Sequence, residues 1–342
     1  MQEQPMTIED PSTLRRSLMS LRRTLLLGMT AAGAVGEAAA QGVTPNPVAR
    51  LNALAARANA GTVGLIAGGV DGTYIRIAAD LAAVLDNADQ LRVIAMIGRG
   101  SVQNIADIMT LRGVDLGIVQ SDMLAYARRE RLFPMVDRLV QYVSKLYDEE
   151  VHILTGPAIS TPRDLAGKTV NVDLRGSGTA MTASLVLEGL GVTVNERNEP
   201  QDVALERLRR GEIAALVYVA GKPARLFTGV RPDEGLRLLA LPPEPALLET
   251  YLPARFTRAD YPALVPEEGL DTMAVGAVLA AYGWPPNTER HNKVSRFVEA
   301  LTVNFDSFLR PPRHPKWREV NLAATVPGWT RFTPGRPLQA RE

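Results

Sequence analysis

Four segments of the sequence place glycine and hydroxyl side chains just ahead of a helical pattern. They are Gly68-Gly69-Val70-Asp71-Gly72-Thr73-Tyr74, Gly98-Arg99-Gly100-Ser101, Gln120-Ser121-Asp122 and Arg175-Gly176-Ser177-Gly178-Thr179. Glycine lets the backbone approach a ligand closely, and the first N–H groups of a helix are unpaired and sit at the positive end of its dipole. Ser and Thr add hydroxyl donors. The chemistry these loops can do together is to hold a small anion. Each loop alone also has what a turn and an N-cap need. Four of them in one topology point to a shared binding site.

Residues for covalent or acid–base catalysis are sparse. The histidines are His152, His291 and His314, scattered and without a metal-ligand spacing. His152 sits in an apolar stretch and reads as a structural histidine. Gly176-Ser177-Gly178 lacks the G-x-S-x-G spacing of a nucleophile elbow. The acidic residues read as spread over solvated faces, with no pair set for acid and base. The first loop is G-G-x-x-G rather than G-x-G-x-x-G, and no Gly-Lys-Ser/Thr occurs, so a nucleotide is not indicated. No cofactor and no metal are expected.

Short apolar runs alternate with helical patterns and set where these loops stand. Strands are expected at Thr62–Ala67, Leu91–Ile97 and Asp115–Val119, each followed by a helix, at Thr73–Leu85, Ser101–Leu111 and Asp122–Arg131. Leu139–Leu146 and Val151–Leu154 read as two further strands. The pattern then restarts, with strands at Lys168–Val172, Ile213–Val219 and Leu236–Leu241 and helices at Thr179–Glu188 and Asp202–Arg210. Thr272–Leu279 is β-like, Thr288–Leu309 reads as one long amphipathic helix, and the Pro-rich remainder reads as surface. Strand–helix repetition implies α/β lobes with mainly parallel sheets flanked by helices. Two such lobes enclose a cleft, and ligands bind at the carboxyl ends of the strands.

Composition removes several classes of function. The 342 residues contain no cysteine, which excludes a disulfide scaffold, thiolate metal sites, a cysteine nucleophile and a lipid anchor on cysteine. With 38 basic against 37 acidic residues the net charge is +1, so there is no bulk attraction to nucleic acid. At the N-terminus, Arg15, Arg16, Arg22 and Arg23 precede an apolar run from Thr24 to Gly36 and then Ala38-Ala39-Ala40. That is the three-part pattern of a cleavable signal peptide, and the run is too short to span a bilayer, which takes about 20 residues. The expected organisation is a signal peptide over 1–40, the first part of lobe 1 over 41–155 and lobe 2 over 156–245. Residues 246–342 are expected to return and complete lobe 1. The expected location is the periplasm.

The runs "GGVDGTYIRIAADLAAVL", "GRGSVQNIADIMTLRGVDLGIVQSD", "VHILTGPAISTPRDLAGKTVNVDLRGSGTAMTASLVLEGLGV" and "GEIAALVYVAGKPA" resemble the TAXI family. These are extracytoplasmic solute-binding proteins of tripartite ATP-independent periplasmic (TRAP) transporters. The resemblance implies a two-lobed, type II periplasmic-binding-protein fold closing on a small carboxylate such as an organic or amino acid. It implies that Tyr74, Ser101, Gln120 and Ser121 face the ligand from one lobe. Ser177, Gly178 and Thr179 would present a helix N-terminus from the other, with Tyr218, Ala220 and Gly221 closing the pocket. Arg99, Arg175 and Lys222 stand where that family's pattern differs. Either two or three of these cations reach the cleft and select a dicarboxylate, or they extend outward into water. The implied partners are the carboxylate ligand and the TRAP permease subunits, with the protein acting as a monomer. A sensor handing its bound form to a membrane receptor or kinase is the alternative, and a secreted α/β enzyme a third.

Overall fold

The structure, a computed structural model, describes residues 46–70, 72–87 and 90–335. The segment expected to be a signal peptide lies outside the described residues. Contacts divide the chain into two units, Met1–Arg50 and Leu51–Glu342. Of the first, only the start of helix α1 (Pro47–Ala60) is described, and α1 has no buried residue. Everything below concerns the second unit.

Ten strands form one continuous, mixed sheet. In chain order these are β1 (Thr62–Ile66), β2 (Arg92–Met96), β3 (Leu116–Gln120), β4 (Val140–Thr155), β5 (Thr169–Asn171), β6 (Asn195–Arg197), β7 (Ala215–Ala220), β8 (Arg237–Leu238), β9 (Leu252–Phe256) and β10 (Leu270–Tyr282). The main helices of this unit are α2 (Thr73–Leu85), α3 (Ser101–Thr110), α4 (Met123–Arg129), α5 (Gly178–Gly189), α6 (Gln201–Arg209) and α7 (Glu289–Val303).

Strand order explains the two lobes. The path runs β2-β1-β3-β10-β4-β7-β5-β6. In the first lobe β1, β2 and β3 are parallel, and β10, returning from the second lobe, pairs antiparallel with β3. In the second lobe β5, β6 and β7 are parallel, and β4, arriving from the first lobe, pairs antiparallel with β7. The two long strands β4 and β10 pair with each other and belong to both lobes. Their ladder shifts register between Gly276 and Val278 and again between Leu279 and Ala280, where the sheet passes between the lobes. This reciprocal exchange of one strand per lobe is the type II periplasmic-binding-protein arrangement.

Each lobe buries both sheet faces, so its strands read as near-continuous apolar runs. Leu65 and Leu279 pack with Ile77, Leu81, Phe297 and Trp317 on one face of the first lobe. The next residues in those strands pointing the other way, Ile66 and Val278, pack with Ile105, Ile108 and Met123. In the second lobe Val217 joins Val151, Val170, Val186 and Val275, while Leu216 joins Leu205, Leu208, Phe227 and Phe256. Leu247, Tyr251, Phe256, Tyr261 and Met273 all belong to second-lobe cores. The second lobe therefore reaches past residue 245, and β10 itself carries the chain back.

Three local expectations differ from the structure. Leu139–Leu146 and Val151–Leu154 are not separate strands but the two ends of β4. The acidic stretch between them stays in the strand because each acid has a partner: Asp148 pairs with Lys145 at 2.7 Å, Glu149 with Tyr74, and Glu150 with Lys316. The expected helix over Thr288–Leu309 ends at Val303 and passes into a 3-10 turn, Phe305–Leu309. The Pro-rich C-terminal segment is not a surface tail. Trp317 is fully buried against Phe308, and its indole N–H donates to Asp80 Oδ2 at 2.9 Å.

Candidate functional site

A cleft of about 260 Å³ lies between the lobes, just under the range of about 300 to 1,000 Å³ typical of ligand pockets, a size for a small solute. Its wall follows the carboxyl ends of the strands. After β1 come Gly68, Gly69, Thr73 and Tyr74, after β2 Arg99 and Gly100, and at the end of β3 Gln120. The second lobe supplies Asp173, Ser177, Gly178 and Thr179 after β5, Gln201 and Asp202 at the start of α6, and Tyr218 and Ala220 at the end of β7. Glu149, from the middle of β4, completes the wall.

The helix N-termini are built as the loop chemistry predicts. Ser177 caps α5, its hydroxyl oxygen accepting the Ala180 N–H at 3.0 Å. Thr179 Oγ1 accepts the Val219 N–H at 3.1 Å, which ties the first turn of α5 to β7. Ser101, the first residue of α3, is buried behind Gln120 rather than in the cleft wall. Its hydroxyl accepts the Gln120 backbone N–H at 2.9 Å and donates to Gln120 Oε1 at 3.1 Å, so it positions Gln120.

Contacts across the cleft hold the lobes closed on one side. The N-terminus of α5 abuts that of α3. A Cβ on Gly178 would stand 2.2 Å from Gln120 Oε1 and 2.8 Å from Ser101 Oγ. Gly100 adopts φ +108°, and a Cβ there would meet Gly178 N at 2.9 Å. These two glycines are needed for close approach of the lobes. The Gln103 N–H donates to Gly176 O at 3.2 Å, and Thr182 Oγ1 reaches Asp122 Oδ2 at 3.0 Å. Tyr251 donates to the same carboxylate oxygen at 3.1 Å, and Arg129 pairs with Glu188 at 2.5 Å. Burial pushes Asp122 up to about 6 against the pull of these two hydroxyls.

The cleft is more acidic than the loops alone foretell. Among the described lining residues Arg99 is the one cation, exposed at the mouth, while Glu149, Asp173 and Asp202 are acids. Glu149 is 2% exposed, and Tyr74 Oη donates to its Oε2 at 2.7 Å. Burial pushes its carboxyl up to about 8; the Tyr74 hydrogen bond and Lys316 pull it down, and Glu150 and Asp122 push it further up. Burial also lifts Asp173 to about 6, against hydrogen bonds from the Leu174 backbone and the Ser177 hydroxyl. Asp173 adopts φ +71° at the end of β5, a left-handed conformation that Asp tolerates better than most residues. Gln201 Nε2 donates to Val217 O at 2.9 Å, which fixes the amide orientation and leaves its buried Oε1 without a hydrogen bond.

Other residues proposed from the sequence lie elsewhere. Arg175 is exposed and outside the cleft wall. Ser121 is held on the far side, its N–H bonded to Gly276 O and its carbonyl accepting the Trp329 indole N–H at 2.9 Å. Gly221 packs where a Cβ would stand 3.2 Å from Lys316 and Tyr147, behind β4. Lys222 pairs with Asp260 at 3.2 Å and donates to Arg255 O. The cations Arg99, Arg175 and Lys222 therefore do not converge. Glu149, Asp173, Asp202 and Gln201 were not singled out from the sequence. The signal for Glu149 was there, as three adjacent acids, Asp148 to Glu150, set between the apolar residues of Leu146 to Leu154.

His152 is structural. Its Nδ1 faces two carbonyls, Glu150 O at 2.9 Å and Tyr218 O at 3.1 Å, so it carries the proton. Its Nε2 accepts the Tyr261 hydroxyl at 2.7 Å, and burial pushes its pKa down to about 3. Among the described residues no group of three or more His, Asp or Glu side chains is placed to hold a metal ion.

A cleft between two lobes that exchange strands β4 and β10 defines a type II periplasmic-binding-protein fold. The chain belongs to the NMT1-like family, whose model matches residues 65–282. Among solved structures it is similar to periplasmic binding protein BugD, at 10% identity and a TM-score of 0.48, over 76% of this chain and 88% of that one. It is similar to a structure described as a periplasmic transporter, at 13% identity and a TM-score of 0.48, over 73% and 84%. It is also similar to holo ArgBP from T. maritima, at 14% identity and a TM-score of 0.42, over 74% and 93%.

Proposed function

We propose that the protein is an extracytoplasmic solute-binding protein that captures a small carboxylate-bearing solute in this cleft. The observation that carries the reading is that the α5 N-terminus and Arg99 line one cleft, whose lobes approach by glycine-to-glycine contact. A carboxylate there meets unpaired helix N–H groups and a guanidinium suited to bidentate contact. Closure buries the solute between the lobes, and the closed form is what a membrane partner reads.

The partner is a TRAP-type permease, a reading supported by the motif runs around Gly72, Ser101, Gln120 and Ser177. Deleting the permease genes then abolishes uptake of the solute. Unchanged uptake would favour a sensory role instead.

Calorimetric titration with mono- and dicarboxylates tests the cleft reading. Arg99→Ala is expected to weaken carboxylate binding about tenfold, the loss of one exposed charge-assisted contact. Arg175→Ala is expected to leave it within twofold, because Arg175 lies outside the wall. Equal losses in both variants would contradict the placement.

A further inference from the structure

A cleft built only for anions has no use for Glu149. This side chain is 2% exposed and lines the wall, with its hydrogen bond coming from Tyr74, a neutral donor. Asp173 lines the same wall, and the buried Gln201 Oε1 receives no hydrogen bond. The Gln201 amide cannot turn round to supply a donor, because its nitrogen is bonded to Val217 O. A buried acceptor without a donor is costly, and so is a buried carboxylate without a cation. Glu149 lacks a paired cation and Gln201 Oε1 lacks a donor, and Asp173 adds a further acid to the same wall, so a charged N–H donor on whatever fills the cleft would serve them.

Resting on the reading that the cleft holds a carboxylate-bearing solute, we infer that this solute also carries a protonated amine, seated on Glu149 with Gln201 and Asp173 and lying away from Arg99. The solute is then a zwitterion or an amino acid with a further group, rather than a simple organic acid. Its carboxylate faces Arg99 and the α5 N-terminus.

Binding by such a solute displaces a proton. The groups facing Glu149 are Tyr74 from α2, Tyr147 and Glu150 on its own strand, Asp122 after β3 and Lys316 from the C-terminal turn. Tyr74 and Tyr147 are pushed upward and stay protonated near neutrality, and Lys316 is raised and stays charged. Asp122 and Asp173, at about 6, are already ionised at pH 7. Glu149, at about 8, is the group still holding its proton there. An ammonium seated beside it favours the carboxylate, and the proton passes to the buffer. Affinity for the amine-bearing solute therefore rises with pH towards about 8 and falls again once the solute's own ammonium loses its proton.

The test is calorimetry in phosphate and in Tris, whose protonation enthalpies differ. The probes are two pairs that differ by the amine: L-glutamate against glutarate, and L-leucine against 4-methylpentanoate. In at least one pair the amino member is expected to bind tenfold or more tightly than its twin. It should release most of a proton at pH 7 and clearly less at pH 8.5. Glu149→Gln keeps the shape and should bring the preference within threefold and abolish the release. Twins that bind equally well, or binding without proton release by the wild-type protein, would overturn the inference and leave the carboxylate reading standing. If no member of either pair binds, both fall.

Discussion

Glu149 and Glu150 stand side by side on β4, both almost fully buried, and the chain neutralises them in different ways. Successive residues of a strand point to opposite faces. Glu150 faces the C-terminal segment, where Lys316, itself 2% exposed, pairs with it at 2.7 Å, and the Lys222 backbone N–H donates to it at 2.9 Å. Burial pushes its carboxyl up against the pull of that lysine. Lys316 also reaches Glu319 at 2.9 Å, so its ammonium is shared between two acids. Glu149 faces the cleft and meets a phenol instead of a cation. One face of the strand is a finished ion pair that fastens the C-terminal segment to the sheet joining the lobes. The other is left open to what the cleft binds. The difference teaches that a buried acid is a functional candidate when no cation of the protein is paired with it directly.

The largest expected effect lies on the closed face. Lys316→Met leaves Glu150 buried without its cation, and breaking such a pair costs about 3–5 kcal/mol. Urea denaturation should show a midpoint lowered accordingly, partly restored in Lys316→Met/Glu150→Gln. A loss below about 1 kcal/mol would mean that Glu150 finds water, and the contrast with Glu149 would lapse.

The opposite sign is expected on the open face. The folded carboxyl of Glu149, at about 8, lies above its ordinary value of 4.5. Its contribution to stability is therefore fully present below about 4.5 and is lost as pH rises towards 8. Glu149→Gln removes that loss and should stabilise the ligand-free protein at pH 8 by about 1–3 kcal/mol, with the gap closing by pH 5. A variant destabilised at every pH would make Glu149 a second structural acid.

A smaller change sharpens the link between cleft and closure. Gly178→Ala places a methyl 2.2 Å from Gln120 Oε1. Solute affinity should fall about 10–100-fold, equivalent to about 1.4–2.7 kcal/mol, with circular dichroism unchanged. Small-angle scattering should show a larger radius of gyration. Unchanged affinity would show that the solute does not need the glycine contact.

Periodicity made the scaffold legible. Three strand–helix units, a restart and a returning segment were readable because apolar runs and 3.6-residue patterns report burial directly. The candidate loops were readable as a set, because Gly and hydroxyl residues recur ahead of several helices in one topology, although each alone also serves as a turn and an N-cap. Local pattern could not show which way a loop side chain turns. Arg99 lines the cleft and Arg175 does not, although each sits in a glycine loop after a strand. Nor could it show that the acidic run 148–150 is interior. Charges in sequence read as solvent-facing, and the partners that bury them, Lys145, Tyr74 and Lys316, are fixed by the fold, two of them far along the chain. The buried path of the C-terminal segment is hidden from local pattern for the same reason. Its prolines suggest a surface path, while Trp317 and Lys316 lock it into the first lobe and the sheet between the lobes.

The central claim is that the cleft holds one small solute bearing both a carboxylate and a protonated amine. Mass spectrometry of what freshly purified protein releases on denaturation tests it most directly. The account predicts one amine-bearing carboxylate, recovered chemically intact at close to one per chain and displaced by the tighter member of an amine pair. A solute lacking the carboxylate or the amine, or a chemically converted product that accumulates with time, would contradict it.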